Sequence, residues 1–347
     1  MRYKVSIIGY LAKQKPLFDG QTVKTKQLAS VLHDQLLENE IGELDMQSMR
    51  KSPVSFFWNY LKLCRNSDNV IILPAHGALL LFPLLCVLFR GKGTKLIYDV
   101  IGGWLSNYIE KYSYLKPILK RFDQIWVETT VMKKALEEKG FNNLTIVPNF
   151  KNLSILKEEE LNMKVSSPIR LCIFSRIMEM KGIDDAVNAV IETTNKESNY
   201  FSLDIYGQID PSYVEHFSEL QKHFPENICY RGCVDATKST EVLREYDALL
   251  FPTKFPTEGL PGTLIDAYSA GLPVISAKWN SFPDFVEDGK TGIGYTQCNY
   301  GELVSTLRRI QENPSLLINM KKNCLNKANE YSAATVGKEI FALLNLV

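Results

Sequence analysis

The sequence predicts an α/β protein made of two doubly wound parallel domains in tandem, facing a central cleft. Three observations carry that expectation. Short aliphatic and β-branched runs alternate with helical periodicity along the chain, the pattern of crossover connections in parallel sheets. The length, 347 residues, suits two domains that each bury a core. A polar break from Lys151 to Pro168, with Lys157-Glu158-Glu159-Glu160 and Ser166-Ser167-Pro168, interrupts the alternation and reads as a linker. The expected division is 1–165 for the first domain with its linker, 166–325 for the second, and 326–347 for a C-terminal helix packing back on the first.

In the first half, the strands are expected at Tyr3–Ile8, Val70–Leu73, Lys95–Tyr98, Gln124–Val127 and Thr145–Val147, with helices at Thr22–Glu38, Ser55–Arg65, Leu105–Arg121 and Thr129–Lys139. Between Val70 and Phe89 no Asp, Glu, Lys or Arg occurs, a length that could span a bilayer. Pro74, His76, Gly77 and Pro83 interrupt it, so a buried strand, a turn and a buried helix from Ala78 to about Arg90 are expected instead. After the linker the alternation restarts with strands at Ile169–Phe174, Ser202–Tyr206, Ile228–Tyr230, Ala248–Phe251 and Pro273–Ser276. Helices are expected at Ile183–Thr194, Tyr213–His223, Thr237–Glu245 and Thr263–Ala270. In such sheets ligands bind beyond the carboxyl ends of the strands, so chemistry is sought there.

Composition narrows the class. With 45% hydrophobic and 23% charged residues the chain is neither disordered nor collagen-like. Seven cysteines, scattered mostly in apolar runs such as Leu171-Cys172-Ile173-Phe174, read as reduced core residues of a cytoplasmic protein. Cys229 and Cys233 lack the second pair or nearby histidine that a zinc site needs, and no metal site is expected. The start, Met1-Arg2-Tyr3-Lys4 followed by Val5-Ser6-Ile7-Ile8-Gly9, is too short for a secretory hydrophobic region. The net charge of +1 conceals an asymmetry: residues 1–150 carry 20 Lys+Arg against 13 Asp+Glu, whereas residues 151–347 carry 20 against 26. A basic half suits an anionic partner, although the same residues also fit solvated helix faces. No groove-reading motif or stacking platform accompanies it, so nucleic acid is not expected as a partner.

Two strand ends in the second half carry candidate chemistry. Arg176 follows the strand Ile169–Phe174, and Lys181-Gly182 opens the next helix; two cations at a strand tip and a helix N-terminus can converge on a diphosphate. A strand-tip arginine also fits an ordinary ion pair. After strand Ala248–Phe251 comes Pro252-Thr253-Lys254-Phe255-Pro256-Thr257-Glu258-Gly259-Leu260-Pro261-Gly262-Thr263-Leu264-Ile265-Asp266. Gly259 and Gly262 let backbone N–H groups approach an anion at the start of a helix, and Glu258 and Asp266 suit sugar or ribose hydroxyls. A plain Gly-Pro turn with an aspartate in the following helix fits the same residues.

These segments, with Tyr206-Gly207, Tyr230-Arg231-Gly232-Cys233-Val234, Ala270-Gly271-Leu272-Pro273-Val274-Ile275 and Phe285-Val286-Glu287-Asp288-Gly289-Lys290-Thr291-Gly292, occur in the order and spacing of one family. Over residues 168 to about 295 the chain resembles the donor domain of a retaining GT-B glycosyltransferase of the family 4 type (glycosyl transferases group 1). The first half resembles it in fold and at Pro148-Asn149. The resemblance implies two Rossmann-like domains across a cleft. It implies that Arg176 and Lys181 bind the donor diphosphate and stabilise it as leaving group, and that Glu258 contacts the transferred sugar. Gly207 and the backbone Gly259, Leu260, Pro261, Gly262, Thr263 and Leu264 would hold sugar and phosphate. Asp266 stands where the family usually has Glu on the ribose. No Asp-x-Asp pair occurs in the sequence, so protein cations are expected to do a metal's work, with no cofactor beyond the nucleotide-diphosphate sugar as co-substrate.

In the first half, Gly20, in the segment from Gly9 to Gln21, is the candidate for a glycine-rich loop meeting the donor. Ile101, in Asp99-Val100-Ile101-Gly102-Gly103-Trp104, stands where relatives carry a sugar-binding His. His76, in Pro74-Ala75-His76-Gly77, is a candidate substitute for that sugar contact, although a turn histidine bonded to backbone also fits. Phe56-Phe57-Trp58-Asn59-Tyr60-Leu61-Lys62-Leu63-Cys64-Arg65 and Tyr108-Ile109-Glu110-Lys111-Tyr112-Ser113-Tyr114-Leu115-Lys116 mix aromatic, aliphatic and cationic residues, which suits either an anionic leaflet or core-facing amphipathic helices. The expectation is a cytoplasmic enzyme, peripheral on the inner face of the plasma membrane. It would transfer a sugar with retention and without metal to a glycan or polyprenyl-linked acceptor in bacterial surface polysaccharide synthesis. A nucleotide-sugar 2-epimerase of the same fold and a catalytically silent scaffold subunit are the alternatives. Epimerisation of donor alone would favour the first, and absence of donor binding the second.

Overall fold

A computed structural model describes residues 2–15, 20–74, 76–194 and 200–346. The chain divides into two compact units, Met1–Asn152 with Tyr331–Val347, and Leu153–Glu330. The first unit runs β1 (Tyr3–Gly9), α1 (Gly20–His33), β2 (Ile41–Asp45), α2 (Pro53–Arg65), β3 (Ser67–Ile72), α3 (His76–Leu79), α4 (Phe82–Leu88), β4 (Lys95–Asp99), α5 (Leu105–Lys111), α6 (Leu115–Leu119), β5 (Gln124–Val127), α7 (Thr130–Glu137) and β6 (Leu144–Ile146). Its strands pair in parallel in the order β2-β1-β3-β4-β5-β6. Both faces of β1 are buried. Val5 and Ile7 pack with Leu28 and Leu32 of α1, while Ile8 packs on the other face with Phe56, Tyr60 and Phe82. Burial on both faces explains why these strands read as unbroken apolar runs.

The second unit contains β7 (Ile169–Phe174), α8 (Ile183–Thr193), β8 (Phe201–Tyr206), α9 (Val214–Gln221), β9 (Ile228–Gly232), α10 (Ser239–Leu243), β10 (Ala248–Phe251), α11 (Gly262–Ser269), β11 (Val274–Lys278), α12 (Phe282–Phe285), β12 (Gly292–Thr296), α13 (Tyr300–Glu312) and α14 (Ser315–Glu330). Its strands pair in parallel in the order β12-β11-β10-β7-β8-β9, so the winding reverses between β7 and β10. At such a reversal the connections leave for opposite faces of the sheet, and the carboxyl ends of the two strands are where a ligand crevice is expected.

The last helix, α15 (Ala333–Leu343), belongs to the first unit. Ser332 caps it by accepting the Thr335 N–H, and Lys151 and Ser332 form a parallel bridge where the chain re-enters. Val336, Ile340, Phe341 and Leu344 join the core beside α1 and β1, and Asn69 Nδ2 donates to Leu344 O at 3.2 Å.

Several boundaries differ from those the sequence predicts. The unit borders lie at 152/153 and 330/331 instead of 165/166 and 325/326. The stretch expected to be a linker is tied to the second unit: Leu156 N–H donates to Ser269 O at 2.9 Å, and Ser166 N–H reaches the Asp247 carboxylate. At the other border α14 continues unbroken to Glu330. The edge strands β2 and β12 were not expected, being short and flanked by Gly, Glu and Asp. The helix expected over 105–121 is two short helices parted at Tyr112–Tyr114, with Pro117 in the second. The one expected over 78–90 divides into α3 and α4 with Pro83 in the first turn of α4, and Leu81 and Leu88 are exposed. Among the described residues no helix is long and apolar enough to cross a membrane. All seven cysteines are free, but Cys233 and Cys298 are exposed, not core residues.

Because Ile340 is fully buried beneath β1, Ile340→Ala is expected to destabilise the first unit by about 2–5 kcal/mol in urea unfolding. A loss below about 1 kcal/mol would show that α15 is peripheral to that core.

Candidate active site

The two loops that leave β7 and β10 are locked together by backbone before any side chain is considered. Gly182 sits at φ +69°, and a Cβ there would lie 2.0 Å from Pro252 O, so only glycine admits the approach. Lys254 N–H donates to Met180 O at 2.8 Å across the same junction. Gly207, after β8, has φ +139° with Ser175 O 1.7 Å from where a Cβ would be, and its carbonyl accepts the Tyr230 hydroxyl at 2.8 Å.

This junction brings Lys181 and Glu258 together. Lys181 Nζ meets Glu258 Oε2 at 2.6 Å, and the buried Thr253 hydroxyl donates to the same oxygen at 3.0 Å. The rings of Phe251 and Phe255 flank the ammonium at 5.6 and 5.3 Å. Among the described residues Glu258 Oε1 has no hydrogen-bond partner, and the side chain is only 17% exposed, so a half-sheltered acceptor faces the crevice. The convergence of Arg176 with Lys181 expected from the sequence is not seen. Arg176, 54% exposed, reaches Asp210 at 3.6 Å, whose carboxyl is held below its usual range by the Ser212 hydroxyl and N–H.

Helix α11 starts at this junction with Pro261 as its cap, which offers no side-chain hydrogen bond to the first N–H groups; Leu264 N–H turns back to Pro261 O at 3.0 Å. Among the described residues Thr263 Oγ1, in the first turn, is buried without a hydrogen-bond partner. An unpaired hydroxyl beside the positive end of a helix is chemically able to donate to an anion or a sugar. Gly259, Pro261 and Gly262 are half-buried, while the Leu260 and Leu264 side chains are buried. Asp266, expected to hold the ribose, lies a turn further on and is 6% exposed.

In the first unit, residues 16–19 of the expected glycine loop, and Ala75 beside His76, lie outside the described residues. Gly20 is exposed at the start of α1, with open space where a Cβ would be. The exposed His76 stacks on Trp104 at 3.8 Å, and its carbonyl accepts the Tyr108 hydroxyl at 2.6 Å. Ile101, in the place of the family histidine, packs against the core.

A buried charged triad was missed. Lys24 Nζ lies 2.7 Å from Asp99 Oδ1 and 3.4 Å from Glu128 Oε1, and all three side chains are at most 3% exposed. Burial pushes the Asp99 carboxyl up to about 6, with Lys24 opposing and Glu128 adding. For Lys24 burial is the largest single influence and lowers it, but the two carboxylates outweigh it and raise the ammonium above its ordinary value. The signal was present. Asp99 and Glu128 close the apolar runs of β4 and β5, and Lys24 precedes Leu28 and Leu32 at helical spacing on the buried stripe of α1.

With this geometry in place, a comparison of sequences shows that residues 168–313 match the glycosyl transferases group 1 family. The second unit is therefore a group 1 glycosyltransferase domain. The alpha-monoglucosyldiacylglycerol synthase of Acholeplasma laidlawii is 28% identical over 61% of this chain and 54% of its own. The alpha-galactosylglucosyldiacylglycerol synthase of Streptococcus pneumoniae is 22% identical over 72% of this chain and 71% of its own. The chain spans only 50–62% of the first curated relatives it matches. Among solved structures, Anabaena HepE in complex with UDP and glucose superposes with a TM-score of 0.75 at 14% identity, covering 100% of both chains. That likeness shows the GT-B fold, and Lys181, Glu258 and Thr263 all lie within residues 168–313 of this chain, which match the group 1 family.

Gly182→Ala should cost the second unit about 2 kcal/mol or more, because it forces the Pro252 carbonyl away from a left-handed residue. Thermal unfolding measures this, and an unchanged midpoint would contradict the close approach.

Proposed function

We propose that the protein transfers a sugar from a nucleotide-diphosphate sugar to a glycan or lipid-linked acceptor, with retention and without metal. The observation that carries the reading is the loop junction of the group 1 domain, where Lys181 pairs with Glu258, whose other oxygen is open, just ahead of the start of α11 and its unpaired Thr263 hydroxyl. An ammonium has three donors and Glu258 takes one, so two remain for a diphosphate. Glu258 Oε1 accepts a hydroxyl of the transferred sugar, and Thr263 with the first N–H groups of α11 holds phosphate.

Retention proceeds by attack on the face the leaving group vacates. The bond from the anomeric carbon to the diphosphate oxygen breaks, a bond to the acceptor oxygen forms, and the acceptor's proton passes to the departing diphosphate. Negative charge grows on that diphosphate in the transition state, which makes fixed cations effective. Lys181 is placed for this; Arg176, on its exposed strand tip, swings from Asp210 to serve it. Chelators should leave turnover unchanged.

An acceptor at a membrane suits the first unit, where Val54, Trp58 and Leu88 are 84%, 73% and 63% exposed, with Lys51, Lys62 and Arg65 exposed on or beside α2. Two relatives named as diacylglycerol-glycoside synthases support a lipid-linked acceptor. Bacterial surface polysaccharide synthesis is the pathway proposed, with the protein peripheral on the inner face of the plasma membrane.

Arg176→Ala and Lys181→Ala are each expected to lower kcat by about 10²–10³ with a donor chosen by thermal stabilisation across nucleotide sugars. Near-wild-type turnover by both would overturn the assignment. Anionic liposomes should bind the protein at low salt and release it at high salt, while donor affinity changes less; binding that ignores salt would contradict the membrane face.

A further inference from the structure

Three charges buried together are expensive, and a well-packed apolar trio would often be more stable. The Lys24, Asp99 and Glu128 side chains nevertheless sit where α1 crosses the ends of β4 and β5. Their connections run outward to the candidate ligand contacts of the first unit, Gly20 and His76. Lys24 is one turn into the helix that Gly20 opens. The second oxygen of Glu128 accepts the Gly102 N–H at 3.2 Å, in a turn where Gly102 has φ +77°. Trp104 closes that turn by donating its Nε1–H to Ile101 O at 2.7 Å, and its ring carries the stacked His76.

We propose that Lys24, Asp99 and Glu128 are positioning residues for the transfer reaction, clamping Gly20 and the Ile101–Trp104 turn, with its stacked His76, into one fixed arrangement. The role rests on the glycosyltransferase reading. The ionised Asp99 is the centre of the clamp, since it makes the shortest contact to Lys24. The charged groups facing it are Lys24 from α1 and Glu128 from the end of β5, with the buried Tyr98 hydroxyl on its own strand, itself pushed up by burial and by Asp99. As pH falls through about 6, Asp99 takes a proton, the attraction for Lys24 is lost and the clamp loosens. Activity should therefore carry an acid limb near that pH.

The experiment compares wild type with Lys24→Met and Glu128→Gln, reading kcat and KM against pH and, separately from activity, the backbone amide resonance of Gly102 against pH. Removing the cation of Lys24 makes Asp99 harder to ionise, so the limb and the Gly102 inflection move to higher pH. Removing the negative charge of Glu128 makes it easier, and both move to lower pH. Lys24→Met should also lower kcat/KM by on the order of 100-fold, because a displacement of about 1 Å at a positioned group costs that much. Displacements in opposite directions support the clamp, since mere loss of stability would not give opposite signs. Profiles coinciding with wild type in both variants overturn it. If a variant fails to fold, Asp99→Asn takes its place, and it should abolish the limb and the inflection; their persistence would overturn the clamp. If wild type turns over no nucleotide sugar, the glycosyltransferase reading fails, while the Gly102 titration still decides whether the clamp exists.

Discussion

A parallel strand cannot be followed directly by its neighbour; the chain must leave, cross a face of the sheet and return to the same end. Everything at the candidate site follows from that constraint. Each crossover delivers a loop to the carboxyl edge, and where the winding reverses, at β7 and β10, two loops that leave in opposite directions open a crevice. Gly182 and the Pro252 carbonyl then bring the two loops into contact, and the side chains of Lys181 and Glu258 meet as a consequence of backbone geometry. Charge is placed here by topology first and by sequence second.

Much of this was legible. The strands at 124–127, 169–174 and 248–251 have the bounds their apolar runs predict, because Glu128, Ser175 and Pro252 follow them directly and mark their ends. Since β7 and β10 were placed, the positions of Arg176, Lys181 and Glu258 beyond them followed. The pairing of Lys181 with Glu258 was not legible, since 77 residues separate them and no local spacing records the contact. Edge strands β2 and β12 were missed because one protected side needs only a few apolar residues. The division of the 78–90 helix was missed because apolar composition alone does not show where the first turn of α4 must begin around Pro83.

Surface and interior charge play different parts. The basic excess of the first half is spread over solvated faces, where each charge contributes little and salt weakens it. The triad of Lys24, Asp99 and Glu128 is buried, where salt screens it far less. A count of charges treats the two alike. Burial separates them, and burial is what a count along the chain lacks.

The return of α15 to the first unit reorders events during synthesis. Domains fold as units while the chain emerges, at about 5–20 residues per second, and the N-terminal one is ordinarily finished first. Here the core around β1 lacks Val336, Ile340 and Phe341 until the second unit has been made, since every residue of that unit precedes Tyr331. The unit whose synthesis begins first is completed last. Until then the apolar faces of β1 and α1 wait for their cover, and that interval is when a chaperone has most to shield.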